Sequence, residues 1–265
     1  MKNMRHVLSF LCLCLLAMEA GGKNYTLSSP NKNLKLDIAI DNTGMYYSVY
    51  HKDSLIMSRN HIGLNSLPGE AAGGERVVSD KVKRLEEQIR SPFYRFKSFR
   101  TLCNEIDLKL ENGFGVQFRA YDEGVAYRFY SEVRKGLVIA DELAEFNFAG
   151  DYTAYLPYTT NEEKPTAMAF QNTYDVKPLS EARKQLAFLP VTVDCGSVKV
   201  TLLESDLEAY PGMFVMPSGS HGLKGVFARY PKKMEFYPYR KQSYVVETED
   251  YIAKVWGCLL YTSPS

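Results

Sequence analysis

The stretch Ile106–Phe129, IDLKLENGFGVQFRAYDEGVAYRF, decides the fold class of this chain. Apolar side chains recur at every second position, and two turn sequences, Glu111–Gly113 and Asp122–Gly124, interrupt the alternation. A period of two is typical of a half-buried β-strand, and the Asn-Gly pair of the first turn supplies the positive φ angles that a tight hairpin requires. We therefore predict two consecutive hairpins that form an antiparallel meander.

The same alternation extends in both directions from the meander. The predicted strands outside it are Asn33–Ile40, Met45–Tyr50, Leu55–Met57, Leu186–Val193, Ser197–Glu204, Leu223–Tyr230 and Tyr244–Val255. Arg76–Arg90 fits both a helix and an edge strand, and its β-rich surroundings favour the strand. Pro178–Gln185 fits a loop or a single helical turn. Turn signals recur at about the 8–12-residue spacing of β-sandwiches, so the sequence predicts an all-β domain.

The composition is that of a globular protein with balanced charge. Of the 265 residues, 45% are hydrophobic and 13% are aromatic, which suffices for a large packed core. Lys and Arg total 32 against 31 for Asp and Glu, so no overall field favours nucleic acid or an anionic membrane. A neutral small molecule is therefore the expected partner.

The N-terminus has the pattern of a secretory signal peptide. Lys2 and Arg5 precede the apolar run Val7–Met18, which is shorter than the roughly 20 residues of a membrane span. We predict a signal peptide over residues 1–22 and an exported protein, periplasmic or secreted, with no membrane attachment after cleavage. The alternative is a retained N-terminal anchor.

Three cysteines, Cys103, Cys195 and Cys258, remain after that cleavage. They form no CxxC pair and have no pair of histidines nearby, which argues against a zinc site. An exported protein can form a Cys103–Cys195 disulfide. Buried free thiols are nevertheless favoured for so few cysteines in a chain of this length.

The most suggestive chemical feature is the acidic stretch Thr201–Met213, TLLESDLEAYPGM. Leu202–Leu203 continues the predicted strand, Glu204 stands at its end, and Asp206 and Glu208 add negative charge nearby. An acidic strand end suits a hard cation such as calcium, which takes about six to eight oxygen ligands. The alternative is a solvated turn, the more common role of such residues.

The sequence contains no convincing catalytic set. Asp122 and Glu123 are adjacent, so on a strand they would point to opposite faces, and they precede Gly124 as turn residues do. Ser218–Gly222 is a Gly/Ser loop rather than a nucleophile elbow, and no dinucleotide or phosphate motif is present. Residue chemistry alone leaves the function open.

Four segments in order carry a family resemblance. They are Ser28–Ile56, Val116–Phe129 (VQFRAYDEGVAYRF), Leu202–Met213 (LLESDLEAYPGM) and Leu223–Pro231 (LKGVFARYP). In these segments the sequence resembles the N-terminal domain of glycoside hydrolase family 97, and the likeness runs from Tyr25 to Lys254.

This resemblance implies a β-super-sandwich of the galactose mutarotase-like kind over residues 23–257. In the family a catalytic (β/α)₈ barrel follows, and we expect this chain to end before it. The implied activity is that of an α-glucosidase or α-galactosidase acting on α-linked oligosaccharides, with Ca²⁺ in the active site. Its catalytic residues are expected on the barrel, where one carboxylic acid protonates the leaving oxygen and a second carboxylate attacks or activates water.

The resemblance also assigns roles to residues of this chain. Glu204 matches the carboxylate that the N-terminal domain contributes to the calcium ion. Gly225, Val226 and Phe227 would lie nearest the sugar, although an ordinary core strand is the alternative for them. The barrel of the complete protein is thus the expected partner, and the isolated chain is expected to be inactive.

The chain departs from the family at its end. The last stretch, Cys258–Ser265 (CLLYTSPS), resembles a translated sequencing adapter, which suggests a truncated gene model. Two other functions stay open at this stage. A free-standing carbohydrate-binding module could use some of the 19 tyrosines and 14 phenylalanines as stacking platforms. A sugar epimerase is the weaker choice, because the acid–base pair it needs is not evident.

Overall fold

The structure is a computed structural model that describes residues 22–256 except 68, 70, 91–94, 162, 167–170, 206, 208–209 and 220. The predicted signal peptide, apart from its last residue, and the Cys258–Ser265 tail therefore lie outside the described residues. Within these limits the chain forms β-strands and one 3₁₀ turn, Leu179–Glu181, with no α-helix. The predicted all-β class is confirmed, and so is the helical turn in Pro178–Gln185.

The strands are numbered in chain order. They are β1 Lys23–Ser28, β2 Leu34–Asp41, β3 Gly44–His51, β4 Ser54–Leu67, β5 Ala71–Ala72, β6 Val77–Arg90, β7 Ser98–Leu110, β8 Phe114–Tyr121, β9 Val125–Ser131, β10 Gly136–Asn147, β11 Thr153–Leu156, β12 Asp175–Pro178, β13 Ala187–Phe188, β14 Val191–Asp194, β15 Lys199–Leu202, β16 Met213–Pro217, β17 Gly222–Phe227, β18 Pro231–Tyr237, β19 Gln242–Thr248 and β20 Ala253–Trp256.

Two large antiparallel sheets dominate the fold. One runs β1-β2-β3-β4-β10-β17-β16-β13, with β20 paired to β10 and β5 to β4, and the other is the sheet β6-β7-β8-β9. The remaining strands form the four-stranded sheet β12-β11-β14-β15 and the hairpin β18-β19. The predicted meander is confirmed, because β7, β8 and β9 pair in sequence across turns at Gly113 and Gly124.

The core lies between the two large sheets. Phe114, Phe118 and Phe129 of the meander are fully buried. The ring of Tyr47 on β3 lies 6.3 Å from that of Phe118 and 5.8 Å from that of Tyr127 on β9. Each such side chain contributes about 1.5–3 kcal/mol through burial. Packing of one sheet on the other confirms the predicted super-sandwich.

Strand β6 resolves the ambiguity of Arg76–Arg90. Among the described strands it pairs only with β7, so it is an edge strand, and its many exposed charges protect that edge against pairing with other chains. One of these charges, Lys83, lies 2.9 Å from the buried carboxylate of Glu105, which Arg119 approaches to 2.7 Å from the other side. Burial opposes ionisation of Glu105, but the two cations outweigh it and lower the pKa of this carboxyl.

Two predicted strands are wrong as single elements. Leu186–Val193 divides into β13, which pairs with β16, and β14, which pairs with β11 and β15 in another sheet. Pro190 stands at the division, where it offers no backbone N–H to a ladder. Tyr244–Val255 likewise divides, because β19 pairs with β18 whereas β20 returns to β10.

Cys103 and Cys195 are buried free thiols in the structure, and burial raises the pKa of the Cys195 thiol to about 11. The favoured alternative for these two residues is confirmed, whereas Cys258 is outside the described residues. In the part of the chain that the structure describes, no helix has the length and apolar character of a membrane span.

Candidate functional site

Glu204 lies two residues beyond the end of β15, and its side chain turns back onto the start of β16. The backbone N–H of Met213 donates to both carboxylate oxygens, at 2.8 Å each. The predicted continuation of the strand through Leu203 is wrong, because β15 ends at Leu202 and Leu203 is 49% exposed. Asp206 and Glu208, which were expected to add charge here, are outside the described residues.

The carboxylate of Glu204 is half-buried, and the described residues provide it with no ion-pair partner. Burial raises its pKa to about 7, and the hydrogen bond from Met213 opposes that rise. Among the described residues no Lys, Arg or His forms an ion pair with it. A half-buried anion in this position is stabilised when a cation approaches.

A second carboxylate, Glu142 of β10, is fully buried in the same region. The hydroxyl of Tyr210 donates to Glu142 Oε2 at 2.7 Å, whereas Glu142 Oε1 has no hydrogen-bond partner among the described residues. Burial raises the pKa of Glu142 to about 8, the hydrogen bond from Tyr210 opposes the rise, and the charges of Glu204 and Asp141 add to it.

The reason that Glu142 points inward is an irregularity in β10. The register against β4 shifts between Ile139 and Asp141, so Ala140 is an extra residue in the ladder. A β-bulge shifts the alternation of buried and exposed side chains by one residue in the part of the strand that follows it. Leu137 and Ile139 are buried before the bulge, and Glu142 is buried after it. Simple alternation from Leu137 would have placed Glu142 in solvent, and sequence analysis missed it.

Tyr127 of β9 completes the acidic cluster. Burial raises its pKa well above the usual value, and the negative charges of Glu142 and Glu204 add to this effect. Its hydroxyl has no hydrogen-bond partner in the described part of the chain. This acidic cluster therefore consists of two carboxylates and two hydroxyls, those of Glu204, Glu142, Tyr127 and Tyr210. Within the described ranges no Lys, Arg or His forms an ion pair with its carboxylates.

The predicted sugar-facing residues lie beside this cluster on β17. Phe227 is paired with Met213 in the ladder, and its buried ring makes an edge-to-face contact with Tyr210, with centroids 5.9 Å apart. Val226 is partly buried opposite Phe214. The structure therefore brings Gly225–Phe227 to Glu204, while contact with a sugar stays a prediction.

Gly225 is required by close packing. A Cβ atom there would lie 2.9 Å from Met213 Sδ and 3.0 Å from Ala144 Cβ. We expect Gly225→Ala to lower the free energy of unfolding by about 1–3 kcal/mol through overpacking, measured by urea denaturation. Gly219→Ala is the matched control, since a Cβ at Gly219 meets nothing within 4 Å. Equal stability of the two variants would contradict this packing role.

The chain offers an incomplete set of calcium ligands. Glu204 supplies up to two carboxylate oxygens, and Glu142 Oε1 is an unpartnered buried oxygen nearby. No group of three His, Cys, Asp or Glu residues within the described ranges could hold a metal ion. The donor chemistry fits calcium, and most of the six to eight ligands would have to come from groups outside the described residues.

Comparison with known proteins gives consistent matches over almost the whole chain. Residues 27–250 match the family description "Glycosyl-hydrolase 97 N-terminal". A retaining alpha-galactosidase of Bacteroides thetaiotaomicron is 36% identical over 266 residues, which cover 96% of this chain and 40% of that relative. The chain thus spans less than half the length of the curated relative.

Solved structures share the fold. A family 97 glycoside hydrolase from Pseudoalteromonas sp. strain K8 in complex with acarbose superimposes with a TM-score of 0.69 at 17% identity, covering 91% of this chain and 34% of that one. A beta-arabinopyranosidase gives a TM-score of 0.71 at 17% identity, with 92% of this chain and 40% of that one covered. In both comparisons this chain matches only a part, 34% or 40%, of the longer protein.

Proposed function

The chain belongs to glycoside hydrolase family 97 and corresponds to the N-terminal domain of its members, and we propose that it is part of an exported, calcium-dependent α-glycosidase that acts on α-linked oligosaccharides. The observation that carries the proposal is the 36% identity to a retaining alpha-galactosidase over 96% of the chain. α-Galactosides are therefore the first substrates to test, ahead of α-glucosides. Binding of acarbose by a structural relative supports an α-linked oligosaccharide as ligand.

In this proposal the domain supplies one wall of the active site. Glu204 is the calcium ligand, and Met213 fixes the orientation of its carboxylate through the N–H donated to both oxygens. The bond from Tyr210 to Glu142 anchors the loop between β15 and β16, so that Glu204 is presented from a buried support. Bound calcium would orient substrate hydroxyls and stabilise the local negative charge.

Catalytic carboxylates are assigned to the downstream part of the complete enzyme. Glu142 is too deeply buried to reach a substrate, and Glu204 is engaged by the backbone. The N-terminal domain would therefore bind and orient, whereas proton transfer and attack on the sugar would be performed by carboxylates elsewhere. The predicted signal peptide supports export.

The test joins the chain, after Lys254, to the part of the Bacteroides thetaiotaomicron relative that lies downstream of the matched region. We expect this fused protein to hydrolyse an aryl α-galactoside at least about 1,000 times faster than the isolated chain, because the isolated chain lacks the catalytic carboxylates. Release of the aryl alcohol is followed spectrophotometrically. Comparable turnover by the isolated chain would overturn the assignment.

A free-standing carbohydrate-binding module is the second candidate, and exposed aromatic residues on β18 and β19 favour it. Tyr237, Tyr244 and, in the turn between the strands, Tyr239 lie at the surface. The ring centroid of Tyr237 is 6.3 Å from that of Tyr239 and 6.4 Å from that of Tyr244. Such rings can stack on sugars. Calorimetric titration of the isolated chain with galacto- and maltooligosaccharides discriminates the two functions, since clear binding without a downstream part would favour the module.

A further inference from the structure

The segment Pro231–Thr248, which we call the hairpin arm, consists of β18, the turn Pro238–Lys241 and β19. All of its residues are exposed except Val245, which is partly exposed. In the described part of the chain β18 and β19 pair only with each other. An isolated two-stranded hairpin is marginally stable in water, so an arm of this length needs a surface to pack against.

Both faces of the hairpin arm are suited to burial against protein. In the ladder Met234 is opposite Val245 and Phe236 follows on the same face, where Phe236 is 62% exposed. The other face carries Tyr237 and Tyr244. Aromatic residues and methionine are enriched in protein–protein interfaces.

The charges on the two strands of the hairpin arm form ion pairs. Lys232 pairs with Glu247 at 2.8 Å, and Lys233 pairs with Glu235 at 3.0 Å. The two further cations, Arg240 and Lys241, lie in the turn at the tip of the arm and give it a net charge of +2. The two strands themselves carry balanced charge, so their apolar faces suit a protein surface.

The base of the hairpin arm is fixed to the body of the domain. The Tyr230 N–H donates to the Tyr251 carbonyl at 2.8 Å, and the Tyr230 carbonyl accepts from the Glu249 N–H. The segments that lead into and out of the arm therefore stay paired at its base. Arg229 donates to the carbonyls of Ala140 and Asp250. The arm therefore projects in a defined direction from the bulge of β10.

We propose that the hairpin arm is the docking surface for the downstream part of the full-length enzyme. The length of the relatives indicates a downstream domain as the docking partner, because this chain spans only 34–40% of the relatives that it matches. This partner is also indicated by position, because the arm begins four residues after Phe227 and is anchored beside the bulge that buries Glu142. A domain docked on the arm would lie next to the bulge of β10. The inference rests on the proposal that this chain is part of a longer enzyme, but neither on calcium nor on the substrate.

Trypsin provides a direct test, since Arg240 and Lys241 lie in the turn of the hairpin arm. Cleavage there is followed by mass spectrometry in the isolated chain and in the fused protein defined above. We expect cleavage at the turn to be at least about tenfold slower in the fused protein, because docking protects the arm. If fusion gives no folded product, the separate downstream part is added to the isolated chain and the same protection is expected.

Variants on the apolar face identify the contact. Met234→Glu with Phe236→Glu should restore rapid cleavage in the fused protein while leaving the Tm of the isolated chain within about 2 °C, since both side chains are solvent-exposed there. Val82→Glu is the matched control, because Val82 is 67% exposed on the distant strand β6, and it should change neither measurement.

Three results would overturn the proposal. One is equal cleavage rates in the isolated chain and the fused protein. Another is dimerisation of the isolated chain, seen by sedimentation and abolished by the double variant, which would make a second copy the occupant. The third is protection of the isolated chain by an oligosaccharide, which would make the arm a sugar platform. Hydrolysis of an α-galactoside is measured separately, so a fused protein that is active but unprotected rejects the docking and leaves the proposed function standing.

Discussion

In the fused protein, Glu204→Gln is expected to weaken calcium binding by at least about 100-fold. The substitution keeps the size of the side chain and its hydrogen bond from Met213, but it removes the negative charge. Two unit charges 4 Å apart interact by about 4 kcal/mol at an effective dielectric constant of 20, and the ion carries two charges. Isothermal titration with calcium measures the effect directly, without reference to activity.

Glu123→Gln is the control for charge removal, because Glu123 lies exposed in the turn between β8 and β9. It should leave the calcium affinity unchanged. The isolated chain should gain little in Tm from millimolar calcium, since one carboxylate supplies at most two of the six to eight ligands. A clear rise in that Tm would contradict the incomplete ligand set, and an unchanged affinity in the Glu204→Gln protein would contradict the assignment of Glu204.

The strands that could be predicted from the sequence are those in which local signals agree. In Ile106–Phe129 the turn residues, the alternation and the hairpin spacing all indicate the same pairing, and the structure confirms it. Leu186–Val193 looks equally regular, yet its two halves belong to different sheets. Local alternation does not specify which neighbour a strand takes, because that choice is made by packing across the whole domain.

The site was predictable only in part for a related reason. Glu204 is recognisable because it follows an apolar strand and because the stretch around it resembles a family segment. Glu142 depends on the bulge at Ala140, whose position is set by pairing with β4 and β20 rather than by its own sequence. The one local signal was the pair Asp141–Glu142 within an otherwise apolar alternation.

Glu142→Gln is expected to stabilise the isolated chain in calcium-free buffer at pH 8. The folded chain holds the proton of Glu142 up to about pH 8, whereas an unfolded glutamate loses it near 4.5. Between these values the folded state binds more protons, so the free energy of unfolding falls as pH rises from about 4.5 and levels off above about 8. The neutral amide removes this loss and still accepts the hydrogen bond from Tyr210. A gain of about 2–4 kcal/mol at pH 8, or roughly 5–12 °C in Tm, follows from the size of the shift.

The pH profile distinguishes this effect from a general improvement in packing. The difference in Tm between the variant and the parent chain should be small at pH 5 and should grow up to pH 8, because only an ionised Glu142 is unfavourable in the core. The charges of Glu204 and Asp141 oppose the ionisation of Glu142. In the described part of the chain Arg229 approaches Asp141 to 3.8 Å, and no cation forms an ion pair with Glu142 itself. Glu181→Gln, a substitution at an exposed position, should have the same Tm as the parent chain at every pH. A constant difference between pH 5 and pH 8 would show that Glu142 is not the group whose proton is held by burial, and the acidic cluster would then have to be balanced by a charge outside the described residues.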